Sequence, residues 1–305
     1  MVKRVEPIRF FNPSSGQLET EQVYGEGYLR WAYENPLGRL TTAAVLQKAC
    51  FSQWYGWRMD RPSSVSRILP FIERYGVDAS EFADAVESYQ SFNDFFYRRL
   101  KPQARPVDPD PKSVVYPADG RHLAIANIDE ATVFYVKGQR FQLADFIADA
   151  ALAKRFCGGS MLISRLCPVD YHRFHFPLAG RAERAQPING ALRSVSPIAL
   201  RQHLNILWQN KRQRTLLTTD AGDEILIVEI GATCVGRIHQ TYTPNTPLPK
   251  GAEKGYFAFG GSCVVCLFPA GKVTFAPHLL QYSAEGIESY GKIGEVAGVY
   301  RSNLA

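Results

Sequence analysis

Hydrophobic and polar positions divide this chain into two regimes. From Gly27 to about Tyr97 the apolar residues recur at helical spacing, with Leu46, Cys50, Trp54 and Trp57 in one stripe and Lys48 and Arg58 among them. Asp78-x-x-Glu81 has the form of a capping box and predicts a helix running toward Tyr89, and Ser91-x-x-Asp94 predicts the start of the next. Residues 1–25 carry Pro, Ser and Gly and read as an irregular arm. Beyond Pro106 the period changes. Residues 114–116, 123–125, 132–136, 161–163 and 225–228 are short apolar runs bounded by turn residues, the pattern of strands. Short helices are predicted near 143–151 and 197–203. The pattern predicts an α+β chain: an arm and helical region over 1–105, then a mainly antiparallel β core over 106–305. No internal repeat or low-complexity tract interrupts it.

Composition narrows the class only a little. With 305 residues, 46% hydrophobic and 21% charged, the chain can bury a substantial core as one catalytic unit. Its 6 cysteines show no small-scaffold disulfide spacing, which points to a reducing cytoplasm. The first residues, Met1-Val-Lys-Arg-Val-Glu-Pro, are basic but lack the apolar run of a signal peptide, and no run of 18 apolar residues predicts a membrane span. A net charge of +6 suits anionic membranes or nucleic acid. No basic, aromatic-rich nucleic-acid motif is present, so lipid is the favoured partner. The Trp54-Tyr55-x-Trp57-Arg58 cluster fits a membrane-interface element, and it fits a helix packed on the protein's own core equally well.

The densest chemical signal is Gly260-Gly261-Ser262, which leads into the apolar run Cys263-Val-Val-Cys-Leu-Phe268. A Gly pair before a strand is by itself an ordinary turn. A serine placed there can do more, because its hydroxyl can attack the preceding carbonyl and move the acyl group from nitrogen to oxygen. Glycine on the acyl side puts no Cβ in the way of the attack. A serine nucleophile needs a base, and two of the 6 histidines sit together in Asp170-Tyr-His-Arg-Phe-His-Phe-Pro177. As metal ligands His172 and His175 are a weak pair, since residues three apart on a strand point to opposite faces. Cys263 and Cys266 fail as zinc ligands for the same reason, and no second pair completes a site.

Taken together these segments resemble the phosphatidylserine decarboxylase family. The stretch Lys-Gly-x-Glu-x-Gly-x-Phe-x-Phe-Gly-Gly-Ser over residues 250–262 is similar to the family's self-cleavage region. Tyr171-His-Arg-Phe-His175 matches its Tyr-His-Arg-x-His segment, and Pro117-Ala-Asp-Gly120 its Pro-x-Asp-Gly segment. Phe95-Phe-x-Arg98 with Arg105-Pro106, Lys137-Gly138 with Phe141-x-Leu143, and residues 228–236 extend the likeness over roughly 90–290. One departure is Cys263, where the family commonly has Thr or Ser.

The resemblance implies a self-cleavage triad of Asp119, His175 and Ser262, with the chain broken between Gly261 and Ser262 into β and α chains. It implies a covalent pyruvoyl cofactor derived from Ser262, formed by β-elimination of the ester to dehydroalanine and its hydrolysis with release of ammonia. It also implies no metal, and decarboxylation of phosphatidylserine to phosphatidylethanolamine through a Schiff base. His172 is then the candidate proton donor to the substrate carbon. The expected setting is the cytoplasmic face of the cell membrane, with the protein peripheral and docked on anionic lipid through residues 46–58, and a homo-oligomer is compatible with it. Two other readings stay open at this stage. One is a pyruvoyl enzyme acting on a soluble amino acid, and the other is a non-catalytic β-rich binding module.

Overall fold

The computed structural model describes residues 7–23, 25–41, 49–128, 142–200, 205–232, 237–260 and 262–301. The expected α+β architecture is present, with a partly helical N-terminal region followed by a mainly antiparallel β core. Its first element departs from the sequence expectation. Instead of an irregular arm, β1 (Arg9–Asn12) and β2 (Gln17–Thr20) form a hairpin. Gly16, at φ 67°, closes the turn, and buried Phe10 anchors it.

Helices α1 (Glu26–Glu34), α2 (Pro36–Thr41), α3 (Ala49–Met59), α4 (Ile68–Tyr75) and α5 (Phe92–Phe96) follow. The helix expected from Asp78 toward Tyr89 does not form. Asp78 caps only a 3-10 turn, Ala79–Glu81, by accepting from the Ser80 amide at 2.9 Å. Glu81 is drawn to Arg105 at 2.9 Å instead of turning back to the cap. By contrast, Ser91 opens α5 as expected, its hydroxyl accepting from the Asp94 amide at 3.1 Å. Phe71, Phe82, Tyr89, Phe92, Phe95 and Phe96 pack around α5 as a separate aromatic core.

The β region contains β3 (Ser113–Val115), β4 (Gly120–Ile125), α6 (Leu143–Ile147), α7 (Ala150–Lys154), β5 (Ser160–Leu166), β6 (Arg173–His175), β7 (Gly180–Ala182), β8 (Gln186–Ile188), α8 (Pro197–Leu200), α9 (Ile206–Gln209) and β9 (Arg212–Thr219). It continues with β10 (Glu224–Ile230), β11 (Ile238–Gln240), β12 (Pro247–Leu248), β13 (Glu253–Phe257), β14 (Ser262–Phe268), β15 (Val273–Phe275), α10 (Pro277–Ala284), β16 (Glu288–Gly291) and β17 (Val296–Tyr300). Four of the expected strands are found. The fifth, at 132–136, lies outside the described residues, as do 201–203 of the helix expected from Pro197. The helix expected over 143–151 is split into α6 and α7. Ala148 takes φ 55° between them, and Asp149 caps α7 through the amides of Ala151 and Leu152.

The main sheet runs β12-β7-β9-β10-β14-β5-β4-β16-β1-β2, with β8 also on β9, and only β1–β16 is parallel among its pairs. β14 sits near its middle, paired to β10 on one edge and β5 on the other. Both sheet faces are covered, which explains why β14 is a continuous apolar run rather than an alternating one. Cys263, Val265 and Leu267 pack into one core, while Val264, Cys266 and Phe268 pack into the other. The two cysteines therefore face opposite sides, as the strand period requires. Two smaller sheets, β11-β13-β6 and β15-β17-β3, complete the fold. Phe174 of β6 and Phe257 of β13 share the second core with Val264, so the β6–β13 layer covers that face of the main sheet.

Candidate active site

The strand register gathers the predicted residues at one end of the main sheet. Ser262 opens β14 opposite Leu166, the last residue of β5. Arg121 of β4 pairs with Arg165 of β5, which brings Gly120 level with Leu166 from the other side. Asp119 and Ser262 thus enter the sheet two strand spacings apart, about 10 Å. Glycine is required at 120, because a Cβ there would lie 2.2 Å from the Arg165 carbonyl oxygen. Ser262 and Val264 point to the same face, the one covered by β6 and β13. The side chain of Ser262 is fully buried, and its hydroxyl has no hydrogen-bond partner among the described residues. Gly261 itself lies outside them.

His172 and His175 bracket β6. The His175 amide donates to the Pro117 carbonyl at 2.7 Å, and the Phe257 amide donates to the His172 carbonyl at 3.0 Å. His175 stands opposite Glu253, at the start of β13, while His172 lies at its far end beside the turn that leads to Ser262. His172 is therefore the histidine nearer Gly260 along this layer. The ring of Phe96 lies 3.9 Å from the His172 ring, and the Gly260 carbonyl faces the same imidazole without completing a hydrogen bond to Nε2.

Both imidazoles are fixed in the same tautomer. Nδ1–H of His175 donates to the Gly251 carbonyl at 2.8 Å, and Nδ1–H of His172 donates to the Asp170 carbonyl at 3.0 Å. Each Nε2 is then a lone-pair nitrogen, and neither has a hydrogen-bond partner among the described residues. Burial pushes the His172 imidazole down to about 3, with the Asp170 carbonyl opposing the shift and Arg98 adding to it. Burial also lowers His175, against the Gly251 carbonyl and the charges of Glu253 and Asp119. Both are neutral bases at pH 7. Burial pushes the Cys263 thiol up to about 12, so it keeps its proton at pH 7.

No hydrogen bond joins Asp119 to His175. Both Asp119 oxygens instead accept from Arg105, at 2.6 to 3.0 Å, and Oδ1 also accepts from the Ile293 amide at 2.9 Å. Asp119 reaches His175 only through its field. Sequence reasoning gave no role to Arg105, although it stands in the matched Arg-Pro segment. It could not have found the Gly251 carbonyl, because a backbone acceptor leaves no signature in residue types.

Behind the site lies a buried charge network. Arg121 donates twice to Asp170, at 2.7 and 2.5 Å, and Asp170 accepts from the Cys167 amide at 2.7 Å. Arg165 donates to Glu288 and to Glu21, which follows the N-terminal hairpin. The loop carrying the His172 acceptor is thereby braced by ion pairs. Among the described residues no group of three His, Cys, Asp or Glu side chains gathers as a metal site.

The chain matches the family model described as phosphatidylserine decarboxylase over residues 92–285. It is similar to the phosphatidylserine decarboxylase proenzyme of Fusobacterium nucleatum, at 42% identity over 96% of this chain and 98% of that one. It is also similar to the proenzymes so named from Desulfitobacterium hafniense (40%, over 96% and 98% of the two chains) and Clostridium kluyveri (41%, over 96% and 99%).

The neutral histidines carry a pH consequence. A folded-state pKa held below the unfolded value of about 6.5 means that the unfolded chain binds more protons in acid. The stability held by neutral His172 is fully present above about pH 6.5, and it is lost progressively as pH falls toward about 3. Each such histidine steepens the acid limb by up to about 1.4 kcal/mol per pH unit. His172→Gln is expected to flatten the fall of melting temperature between pH 6.5 and 4, and an unchanged slope would show that the buried ring does not resist protonation.

Proposed function

This chain belongs to the phosphatidylserine decarboxylase family, and we propose that it is a proenzyme that cleaves itself between Gly261 and Ser262 and then decarboxylates phosphatidylserine to phosphatidylethanolamine. The observation that carries this reading is the buried hydroxyl of Ser262 at the mouth of β14, which has no hydrogen-bond partner among the described residues. A buried hydroxyl without a partner is costly, and its conversion to a pyruvoyl group removes it. The residues present therefore fit that covalent cofactor. It supplies a ketone that takes up the substrate amine and acts as the electron sink for loss of carbon dioxide.

The two imidazoles share one tautomer, so their roles divide as the resemblance to the family's Tyr-His-Arg-x-His segment implies. His175 serves maturation as the base, because its Nδ1–H is committed to Gly251 and leaves Nε2 free to accept the Ser262 proton. Asp119, held by Arg105, stabilises the imidazolium through its field rather than by a direct hydrogen bond. His172 serves turnover. Its Nε2, without a hydrogen-bond partner among the described residues, is the atom that would deliver the proton to the substrate carbon. Phe96 and the aromatic core beside it keep water from that ring.

After cleavage residues 262–305 would form the α chain. Their strands are woven into the rest: β14 lies between β10 and β5, β16 between β4 and β1, and β17 beside β3. The two chains therefore stay associated without a covalent link.

Substrate access favours the lipid enzyme over one acting on a soluble amino acid. Among the described residues no helix is long and apolar enough to cross a membrane. Extracting a diacyl lipid into water would cost about 0.8 kcal/mol per CH₂, so the protein must work while docked on the bilayer. Helix α3 is built for both of the settings that its sequence left open. Tyr55 and Met59 face the aromatic core. Trp54 and Trp57 are each 48% exposed, and Arg58 and Arg61 lie over their rings at 5.2 and 3.7 Å. Rings and cations on one helix face suit the headgroup layer of an anionic cytoplasmic leaflet. Residues 46–48 of the segment lie outside the described residues.

Two sets of variants test these roles. Ser262→Ala is expected to remain one chain without activity, and His175→Ala and Asp119→Asn to accumulate precursor on a denaturing gel. His172→Ala should mature yet turn over about 10²- to 10⁴-fold more slowly. Maturation of His175→Ala at the wild-type rate would remove it as the base. For docking, Trp54→Glu with Trp57→Glu should reduce sedimentation with phosphatidylserine-containing vesicles and turnover on them, while leaving self-cleavage intact. Unchanged vesicle binding would move the docking surface elsewhere.

A further inference from the structure

One buried side chain joins helix α3 to the turn that precedes Ser262. Asn93, in the first turn of α5, is 1% exposed. Its Oδ1 accepts from the Phe259 amide at 2.8 Å. Its Nδ2 donates to Asp60 Oδ1 at 2.6 Å and lies 3.4 Å from the Gly56 carbonyl oxygen of α3. The two partners fix the amide's orientation, since an N–H needs an acceptor and a carboxylate needs a donor. No other side chain of this size offers both in one plane.

Asp60 closes a ring of contacts around the turn. Its other oxygen pairs with Arg237 at 3.2 Å, and the Arg237 carbonyl accepts from the Ala258 amide at 3.2 Å. Successive residues of the turn are thus held from different elements: Phe257 by the His172 carbonyl, Ala258 by Arg237 and Phe259 by Asn93. The Phe259 ring adds packing, stacked on Tyr55 of α3 at 5.6 Å and against Phe92 and Phe96 at 5.2 and 4.9 Å. Phe96 in turn holds the His172 ring.

We propose that Asn93 is a positioning residue for self-cleavage, which sets the Phe259–Ser262 turn against α3 so that the Ser262 hydroxyl meets the carbonyl of Gly261. It touches neither reacting atom. It acts by fixing the backbone three residues upstream of the nucleophile, where an error of about 1 Å in approach can cost about 10²-fold in rate. The inference rests on the self-cleavage reading above. It adds a physical link between that turn and the helix whose opposite face carries Trp54 and Trp57.

The test uses the full-length chain, with the cleavage rate followed on denaturing gels and the melting temperature measured in parallel. Wild type must cleave; if it does not, the self-cleavage reading fails first and independently. Given wild-type cleavage, Asn93→Ala is expected to slow it at least about tenfold at a temperature where the fold is intact. Asn93→Asp sets two carboxylates against each other at Asp60 and is expected to be slow as well. Adding Asp60→Asn to Asn93→Asp exchanges donor and acceptor across the same contact, and should restore the rate to within about threefold of wild type. The last two variants carry the test alone should Asn93→Ala not fold. Wild-type cleavage in Asn93→Ala would overturn the proposal. So would equal rates in Asn93→Asp and the exchanged pair when both melt as wild type does.

Discussion

The structure depends on one constraint: Ser262 must begin a strand that is hydrogen-bonded along both edges. β14 lies between β10 and β5, and its residues from 262 to 268 are all buried. A strand held in this way cannot slide, because a one-residue slip would exchange the core-facing side chains of its two faces. The register therefore sets the direction of the Ser262 hydroxyl to the face covered by β6 and β13. The same face carries Phe174, Phe257 and Leu166, which exclude water around it. Under the proposed self-cleavage, a Ser262 with little freedom of its own leaves the precision of the reaction to the segment before it, and to the groups that hold Phe257, Ala258 and Phe259.

Those groups come from parts of the chain far apart in sequence. The Asp170 carbonyl orients His172. Asp170 is fixed by Arg121, and the neighbouring Arg165 is held by Glu21 and Glu288. Burial alone would raise the Glu21 carboxyl, but the Arg165 and Arg121 guanidinium groups outweigh it and hold the acid down to about 2. Buried ion pairs of this kind add little net stability, because desolvation offsets their attraction. Removing one partner is costly all the same, so they specify one arrangement of the 167–172 loop. The N-terminal hairpin, which adds to the edge of the sheet beside β16, is in this way connected to the site through Glu21.

Much of this was legible in the sequence, and what was hidden has physical reasons. The apolar run after Ser262 announced β14, and the change of period near Pro106 announced the β core. The helix expected from Asp78 failed because a local cap competed with a distant partner: Glu81 pairs with Arg105, which also holds Asp119. The hairpin at the N-terminus was missed because its stability comes from the sheet edge rather than from its own composition. At the site, the resemblance to the family's segments pointed to Asp119, His172, His175 and Ser262 as the groups to watch. They could not give the tautomers, which depend on two backbone carbonyls, or the pairing of Asp119 with Arg105. Asn93 stood two residues before the matched Phe95-Phe-x-Arg98 segment, and its contacts reach Asp60 and Phe259, 33 and 166 residues away.

The central claim is that Ser262 is both nucleophile and cofactor precursor, and intact-mass measurement of the purified wild-type protein tests it most directly. Under denaturing conditions the account predicts two species, residues 1–261 and residues 262–305, with the second lighter than its serine-terminated counterpart by one ammonia. Under native conditions the two should travel as one particle, because β14 remains between β10 and β5. A single full-length mass with an unmodified serine at 262, in protein that is folded and has stood for days at neutral pH, would contradict it.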